Sequence, residues 1–582
     1  MSESLSDERV IELFNSTGSI SDETMKEITL SEDLPRRLTT FHNLKQLDIT
    51  VFALRLINDK NNNFEYFAVQ QVLCESLVTV ESPVVSVLKA YAHMWRESGK
   101  DFAANFVLRD YGAYLGNNPE VIFEALTLVI DEQINLSCLL PMTLIKGLAK
   151  DFSYSINIID ELCCGSNKEF QAHALNALGS IDWFSNIEFL DQGKRILLST
   201  IGSCEDNSVL FNWIVATGQS LCNGLSSEEL VEHLLLFIEK NGALARNAII
   251  NVFSRAAGSF PSVLEPVLIS AIDNLAQEEG GTIQFLDHGI TCLFKENAIV
   301  KAITLIEKAL CASGAYSFDD FPCSVSEMNK KGITNWLATK WLLSGEQALC
   351  KAVKSLLANR ETQTSSFVVD KNLVDSDADE DIVYIARKAI GFLLFDYKEL
   401  IGFLVSLVLY AKNTIVSYEI VSLLLNPILV CYPSTGLDEL EKCIKDQDAI
   451  DNDAFKWLIE QHQKYCDQID RCKRIPALGP DEDQRYAFAG MMLEQQRQIH
   501  KQAKKESFFL SLFKSNTILY GRGSISYQET MNGEIERNDH VLQGISAQIE
   551  LPMLLFLNPV GLENMMFFFR LERRRSDEDS TS

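Results

Sequence analysis

Apolar residues recur every three to four positions from the start of the chain to about residue 475, and strand-like alternation is nearly absent over that distance. The clearest case begins at Asp453, where apolar or part-apolar residues recur at steps of three and four: Phe455, Leu458, Ile459, His462, Tyr465, Cys466, Ile469 and Cys472. This spacing gives a helix one apolar face, and Asn452 or Asp453 is suited to cap its first turn. The pattern predicts a mainly α protein.

Small residues inside the predicted helices mark a weak internal period. Similar segments begin at His173, Asn212, Arg246 and Asp287, so that successive gaps are 39, 34 and 41 residues. Spacing of this size is typical of one helix pair per repeat, in which each pair buries its apolar face by stacking on its neighbours.

Two stretches follow the same plan of helix, turn and helix. Residues 243–274 have a turn at Ser259, Phe260 and Pro261, and residues 381–410 have a turn near Asp396. In these stretches the chain resembles HEAT and armadillo repeat proteins. The resemblance implies an irregular α-solenoid of stacked helix pairs over residues 41–475, preceded by an N-terminal helical cap at 1–40, and it carries no catalytic residue or ligand. An irregular helical array that is not a true solenoid is the alternative.

A polar segment at 361–381 interrupts the predicted helices. It contains Asp375, Asp377 and Asp379, an opening like that of an EF-hand calcium loop. The sixth position is Glu380 where the loop needs glycine, and the twelfth is Ala386 where it needs glutamate. We therefore expect an exposed acidic loop, whose last carboxylates lie at the start of the next helix, where the helix dipole favours them.

The pattern changes after residue 475, and residues 476–582 are predicted to form a basic helix, a β-hairpin and a final helix. The predicted strands are 519–527 and 545–551, with Asn532 and Gly533 as a turn signal between them. The final helix is expected to begin at Pro559, after an Asn558 cap. This small C-terminal α+β unit differs most from the repeats and is the best candidate for a specialised role.

Four residues of the first predicted strand, Gly521, Arg522, Gly523 and Ser524, combine a guanidinium, a hydroxyl and backbone that a ligand can approach closely. They are the candidate site for an anionic ligand. The P-loop and dinucleotide-binding patterns are both missing, and glycines inside a strand more often mark a bulge.

A basic patch is predicted in the C-terminal part, from the residues Arg497, Lys501, Lys504, Lys505, Arg573, Arg574 and Arg575. Nucleic acid, an anionic membrane surface or the protein's own acidic body are its conceivable targets. Nucleic acid is disfavoured because the net charge is −28 and the sequence shows no cluster of aromatic residues that we expect to be exposed for base stacking. Docking within the chain or on a partner protein is the preferred interpretation.

Other reactive residues are better explained as core residues. His462 and Cys466 lack the second ligand pair that structural zinc needs, and the adjacent Cys163 and Cys164 are awkwardly placed for a disulfide. The fourteen cysteines are interpreted as reduced thiols, and the N-terminus has no secretory signal pattern, so a cytoplasmic location is expected. The longest uncharged run, residues 400–411, is too short to cross a membrane.

The sequence therefore predicts a non-catalytic scaffold or adaptor that binds a protein partner through its helical repeats, without a metal or cofactor. A sensor that binds an anionic ligand or nucleic acid through the C-terminal unit is the second hypothesis, and an enzyme with a site assembled only in three dimensions is the third. The sequence does not determine the oligomeric state.

Overall fold

The structure is a computed structural model. It describes residues 6–15, 33–57, 63–99, 104–131, 136–275, 280–312, 316–358, 367–450, 452–472, 486–487, 489–494, 497, 523–529, 535–541 and 551–574. The described residues are mainly α-helical, as predicted. Among them, no helix is both long enough and apolar enough to span a membrane.

The α-helices follow one another with short connections. Their bounds are α1 Asp7–Asn15, α2 Leu34–Asn43, α3 Ile49–Ala53, α4 Asn63–Leu77, α5 Val84–Glu97, α6 Ala104–Asn117, α7 Ile122–Asp131, α8 Leu140–Lys150, α9 Phe152–Cys164, α10 Lys168–Gly179, α11 Leu190–Thr200, α12 Asn207–Cys222, α13 Glu228–Ala256, α14 Glu265–Asp273, α15 Gly280–Lys295, α16 Ile299–Cys311, α17 Pro322–Lys331, α18 Thr334–Ser344, α19 Gln347–Ala358, α20 Asp379–Leu393, α21 Tyr397–Tyr410, α22 Thr414–Leu423, α23 Thr435–Asp446, α24 Asp453–Cys472, α25 Leu554–Leu557 and α26 Pro559–Leu571.

Several helices begin or break where the sequence provides a physical reason. Asn452 Oδ1 accepts a hydrogen bond from the Ala454 amide at 2.9 Å, which confirms Asn452 as the cap of α24. Helix α13 is broken at Gly242, whose φ of 55° lies in the left-handed region that glycine tolerates. A π-helical turn, Leu424–Leu429, follows α22 and contains Pro427.

The chain divides into two compact units, Met1–Lys331 and Gly332–Ser582. In the first unit, helices contact their next-but-one neighbours in two parallel series. One series runs α4, α6, α8, α10, α12, α13, α15 and α17, in which the step from α12 to α13 joins consecutive helices. The other includes the contacting pairs α9 with α11 and α14 with α16. The predicted domain boundaries near residues 40 and 475 stay predictions.

Glycines permit the closest helix contacts in the first unit. A methyl group at Gly179 would lie 2.9 Å from the Ala216 Cα, and one at Gly289 would lie 3.2 Å from the Ser254 Cα. Gly218 similarly faces Val252 at 3.0 Å. These three glycines lie in the small-residue segments that mark the weak period in the sequence, so the period reflects close packing between helices that follow one another in the first of these series.

Polar side chains also bridge residues about one repeat apart. Tyr111 and Thr143 hydroxyls are 2.7 Å apart, and Asn247 Nδ2 donates to Thr282 Oγ1 at 2.8 Å. The Ser324 amide donates to Asp287 Oδ1 at 2.9 Å. The partners are separated by 32, 35 and 37 residues respectively, close to the spacing that the sequence indicates.

The second unit contains the predicted helix pair of residues 381–410 as α20 and α21, joined by a turn that includes Asp396. Here too the polar bridges span one repeat, because Arg387 pairs with Glu419, 32 residues away, and Asp379 with Asn413, 34 residues away. As predicted, Asp379, Glu380 and Asp381 form the first turn of α20.

The exposed loop predicted at 361–381 is wrong for its middle part. Phe367, Val369 and Val374 are buried, and the Phe367 ring stacks on Phe403 with 4.5 Å between the ring centres. The Val369 amide also donates to Ser406 Oγ at 2.9 Å. The segment packs because its apolar residues face the apolar part of helix α21, and the many acidic residues that follow in the sequence hide this contact. Residues 361–366 lie outside the described residues.

Two strands lie in the C-terminal part, β1 Gly523–Glu529 and β2 Ile535–Val541, and they pair antiparallel with Gly523 opposite Val541. The bounds differ from those expected, because the sequence predicts the second strand at 545–551. Residues 545–550 lie outside the described part of the chain, so a hairpin with that second strand stays a prediction. The final helix, α26, begins at Pro559 as predicted.

Candidate functional site

The final helix docks on helix α20, in the second unit. Asn558 Oδ1 caps α26 by accepting from the Gly561 amide at 3.0 Å, and Pro559 occupies the first helical position. One face of α26 is buried through Leu562 and Met566. The docking brings Glu572 and Arg574 against the first three turns of α20.

Gly391 is the point of closest approach between the two helices. A methyl group there would lie 3.2 Å from the Phe569 Cβ and 3.3 Å from the Arg570 amide nitrogen. Arg570 Nε donates to the Gly391 carbonyl oxygen at 2.6 Å, and Lys388 Nζ donates to the Arg570 carbonyl oxygen at 2.7 Å. The two helices are therefore joined by hydrogen bonds in both directions at a place where only glycine fits without displacement.

Lys388 is almost fully buried, with a relative exposure of 1%. Its ammonium lies 5.3 Å from the centre of the Tyr384 ring. Burial lowers the pKa of Lys388, since the charged form loses contact with water. The carbonyl of Arg570 supplies one of the few partners for this charge, so the docked helix compensates for the desolvation of Lys388.

An ionic cluster surrounds a cavity of about 300 Å³ at the start of α20. Arg387 lies between Glu419 and Glu572, at 2.8 Å from each. Arg574 Nε donates to Asp381 Oδ1 at 2.6 Å in a two-pronged contact. The charged groups that line the cavity are thus largely engaged with one another, and these ion pairs hold Glu572 and Arg574 against α20.

These contacts locate two residues of the predicted basic patch. Arg574 is bound by the acidic body of the protein itself, which was one of the three conceivable targets, and Arg573 lines the same cavity. Arg497 lies 3.7 Å from Glu494, away from the cavity residues in sequence. The other members of the patch, Lys501, Lys504, Lys505 and Arg575, lie outside the described residues.

The predicted anion site is only partly described. Gly523 and Ser524 form the start of strand β1, whereas Gly521 and Arg522 lie outside the described residues. Ligand binding by these four residues stays a prediction.

The other residues that the sequence offered as metal or redox ligands either contact a neighbouring side chain or differ in their burial. His462 and Cys466 lie 3.6 Å apart on α24, and Cys163 is buried whereas Cys164 is exposed. Asp377 pairs with Lys412 at 2.7 Å. In the part of the chain that the structure describes, no group of three or more metal-ligating side chains comes together.

A surface that the sequence analysis missed lies in the first unit. Aromatic residues stand at the starts of helices α7 and α9 and in the 3-10 turn before α11, and their rings touch in pairs. Phe123 meets Tyr154 edge-on with ring centres 4.9 Å apart, and Phe152 meets Phe189 at 4.7 Å. We call Phe123, Phe152, Tyr154 and Phe189 the aromatic ridge.

The aromatic ridge is partly open to solvent, because Phe123, Phe152 and Phe189 are neither buried nor fully exposed. Tyr154 is half exposed, and Phe184 and Ile187, in the turn that leads to Phe189, are each 69% exposed. Lys150 Nζ lies 4.8 Å from the centre of the Phe123 ring and borders the ridge. The sequence does place aromatic residues at the starts of the segments of α7, α9 and α11. Whether these residues are exposed depends on how the helices stack, which the sequence does not show.

Comparison of the chain with family models, curated proteins and solved structures found no match.

Proposed function

We propose that this protein is a non-catalytic protein–protein interaction scaffold, built on an irregular α-solenoid of HEAT-like helix pairs. Two features support the solenoid: the contacts between next-but-one helices, and the polar bridges between residues 32 to 37 positions apart. Such stacking creates extended surfaces without a deep pocket, which suits the recognition of another protein. The cytoplasmic location expected from the sequence remains part of this proposal.

The aromatic ridge is the observation that carries the proposal. Tyrosine and phenylalanine are enriched in protein interfaces because they offer large contact areas at a small cost in side-chain entropy. Apolar side chains that cluster at the surface typically mark such an interface. The neighbouring Phe184 and Ile187 widen the apolar area, and Lys150 provides a positive charge at its border. We infer that a protein partner with an apolar contact surface binds here.

The test is affinity capture with the full chain and two variants. The first variant, which we call the ridge variant, carries Tyr154→Ser in the ridge and Phe184→Ser in the turn before Phe189. The control carries Val300→Ser, and Val300 is an apolar residue of the same unit that is 78% exposed and lies outside the ridge. The proposal predicts that a stoichiometric partner is captured by the wild type and the control and is lost, or reduced at least tenfold, with the ridge variant. Equal capture by all three proteins would reject the ridge as the binding surface.

A further inference from the structure

The face of α26 that points away from α20 is apolar and exposed. Val560, Phe567, Phe568 and Leu571 lie on this face with relative exposures between 50% and 69%. The buried Leu562 and Met566 lie on the opposite side of the helix, against α20. The docking of α26 therefore leaves a second apolar surface, which we call the outer stripe, consisting of Val560, Asn564, Phe567 and Leu571 with Phe568 beside it.

The spacing of the outer stripe matches the seam of a two-helix coiled coil. Its members Val560, Asn564, Phe567 and Leu571 follow steps of four, three and four residues. In an antiparallel pair of identical helices, Val560 would face Leu571 of the second copy, and Asn564 would face Phe567 of the second copy. Each apolar residue of the stripe thus meets another member of the same stripe.

Charges beside the stripe are complementary in the antiparallel arrangement. Glu563 and Arg570 flank the stripe on one side, seven residues apart, so two antiparallel copies bring Glu563 of each next to Arg570 of the other. Arg570 holds Gly391 through Nε, and in the described structure its terminal nitrogens donate no hydrogen bond. On the other side, Phe568 would lie over Gly561 of the second copy, where the absence of a side chain leaves room for the ring.

We propose that the outer stripe of α26 is a self-association surface, on which a second copy of this chain docks with its own α26 antiparallel. The parallel arrangement loses the Glu563–Arg570 pairs. An anionic membrane is a poorer occupant, because the protein carries a net charge of −28 and would be repelled from it.

The exposed area of the outer stripe indicates the size of the interface. The four apolar side chains of the face offer roughly 400 Å² in each copy, if a full aromatic side chain is taken as about 200 Å². Two copies then bury roughly 800 Å² of apolar surface, and flanking polar atoms bring the total toward about 1,200 Å², the lower end of the range for stable interfaces. Interfaces at the lower end of this range include weak and transient ones, so we expect reversible association, with a dissociation constant on the order of micromolar.

Sedimentation velocity of the full chain tests the dimer. We expect reversible dimerisation as the concentration rises through the micromolar range. Phe568→Asp should weaken it at least tenfold, whereas Phe395→Asp, a matched substitution of a half-exposed phenylalanine of the same unit, should leave it unchanged. Glu563→Arg should weaken it about tenfold, because it places like charges together twice in one dimer. A wild type that stays monomeric at every concentration overturns the proposal.

Cysteine cross-linking tests the antiparallel orientation. Val560 and Leu571 are eleven residues apart, or about 16 Å along the helix. A mixture of the Val560→Cys and Leu571→Cys variants should form a cross-linked dimer beyond that of the wild type, while either variant alone should not. Cross-linking of the Val560→Cys variant with itself would overturn the antiparallel arrangement. Binding of the monomer to vesicles of phosphatidylserine and phosphatidylcholine, abolished by Phe568→Asp, would assign the stripe to a membrane instead and also overturn it.

Discussion

His462 shows how burial determines the chemistry of a single side chain in this protein. It lies on α24 with a relative exposure of 2%, and burial lowers its pKa below the usual 6.5. The spacing of the α24 residues already favoured a core role for His462, although the polar ring also allowed a metal ligand. Only the folded structure shows whether His462 is a core residue or a zinc ligand, because a second pair of ligands would have to come from elsewhere in the chain.

The lowered pKa of His462 predicts a loss of stability in acid. The unfolded chain accepts a proton on this histidine near pH 6.5, whereas the folded chain does so only at lower pH. More protons are therefore bound by the unfolded state in this window, and the free energy of unfolding falls as the pH drops below about 6.5.

The His462→Gln variant tests this effect, since glutamine is neutral at every pH. Hydrogen exchange of the α24 amides in urea gives the free energy of unfolding of this helix at pH 7.5 and at pH 5.5. This free energy should fall less between the two pH values in the variant than in the wild type. Carboxylates elsewhere contribute equally to both proteins and cancel in the difference. If the two proteins lose the same free energy, His462 is not the group responsible.

At the scale of elements, glycine contacts determine how closely neighbouring helices pack. We predict that Gly179→Ala destabilises the contact of α10 with α12 by about 1–2 kcal/mol. The added methyl group would meet backbone, the Ala216 Cα at 2.9 Å, so overpacking exceeds the roughly 0.5–1 kcal/mol that alanine gains in helix propensity. Native-state hydrogen exchange of the α10 amides measures the change.

The control for this substitution is Gly281→Ala, in helix α15. An added methyl group there meets no atom within 4 Å, so the variant should be neutral or slightly more stable than the wild type. Equal effects at Gly179 and Gly281 would show that helix propensity, and not close packing, dominates.

Gly391→Ala should loosen the final helix. Its methyl group would push against Phe569 and the Arg570 backbone, and the hydrogen bonds of Lys388 and Arg570 depend on the same close approach. We expect hydrogen exchange in α26 to accelerate by about tenfold, the equivalent of about 1.4 kcal/mol, while α10 is unchanged. Unchanged protection of α26 would contradict the docking described here.

Helix bounds were well predicted where the apolar period is regular and capping residues are present. The helix Asp453–Cys472 and the start of α26 at Pro559 are both confirmed. The segment around Phe367 was predicted wrongly, because its three buried apolar residues stand among many polar ones and do not form a regular period. Its burial depends on the surface of α21, which no local pattern reveals.

For the whole molecule, the distance along the chain between two contacting residues determines whether the sequence could predict their contact. Contacts between residues 32 to 37 apart leave a period that can be seen in the chain. The docking of the C-terminus joins Arg574 to Asp381, 193 residues away, and Arg570 to Gly391, 179 residues away. No period connects such partners, so the sequence showed a basic run and an acidic run without showing that they meet.

The aromatic ridge likewise depends on contacts between helices that no period in the sequence reveals. The four aromatic residues fall at the starts of three different helical segments, where the sequence gives them no special role. Stacking of the helices brings the rings together in two pairs, each with ring centres less than 5 Å apart, and leaves Tyr154 exposed and the other three rings partly exposed. A function carried by such a surface is therefore a property of several packed helices and not of any single helix.

Cross-linking of the captured complex with a lysine-reactive reagent tests the central claim most directly. Lys150 borders the aromatic ridge, whereas Lys308 is exposed on helix α16 of the same unit, outside it. The scaffold proposal predicts links from Lys150 to the partner protein, lost with Tyr154→Ser and Phe184→Ser, and few or none from Lys308. Links from Lys308 but not from Lys150 would contradict the proposal that the ridge binds the partner.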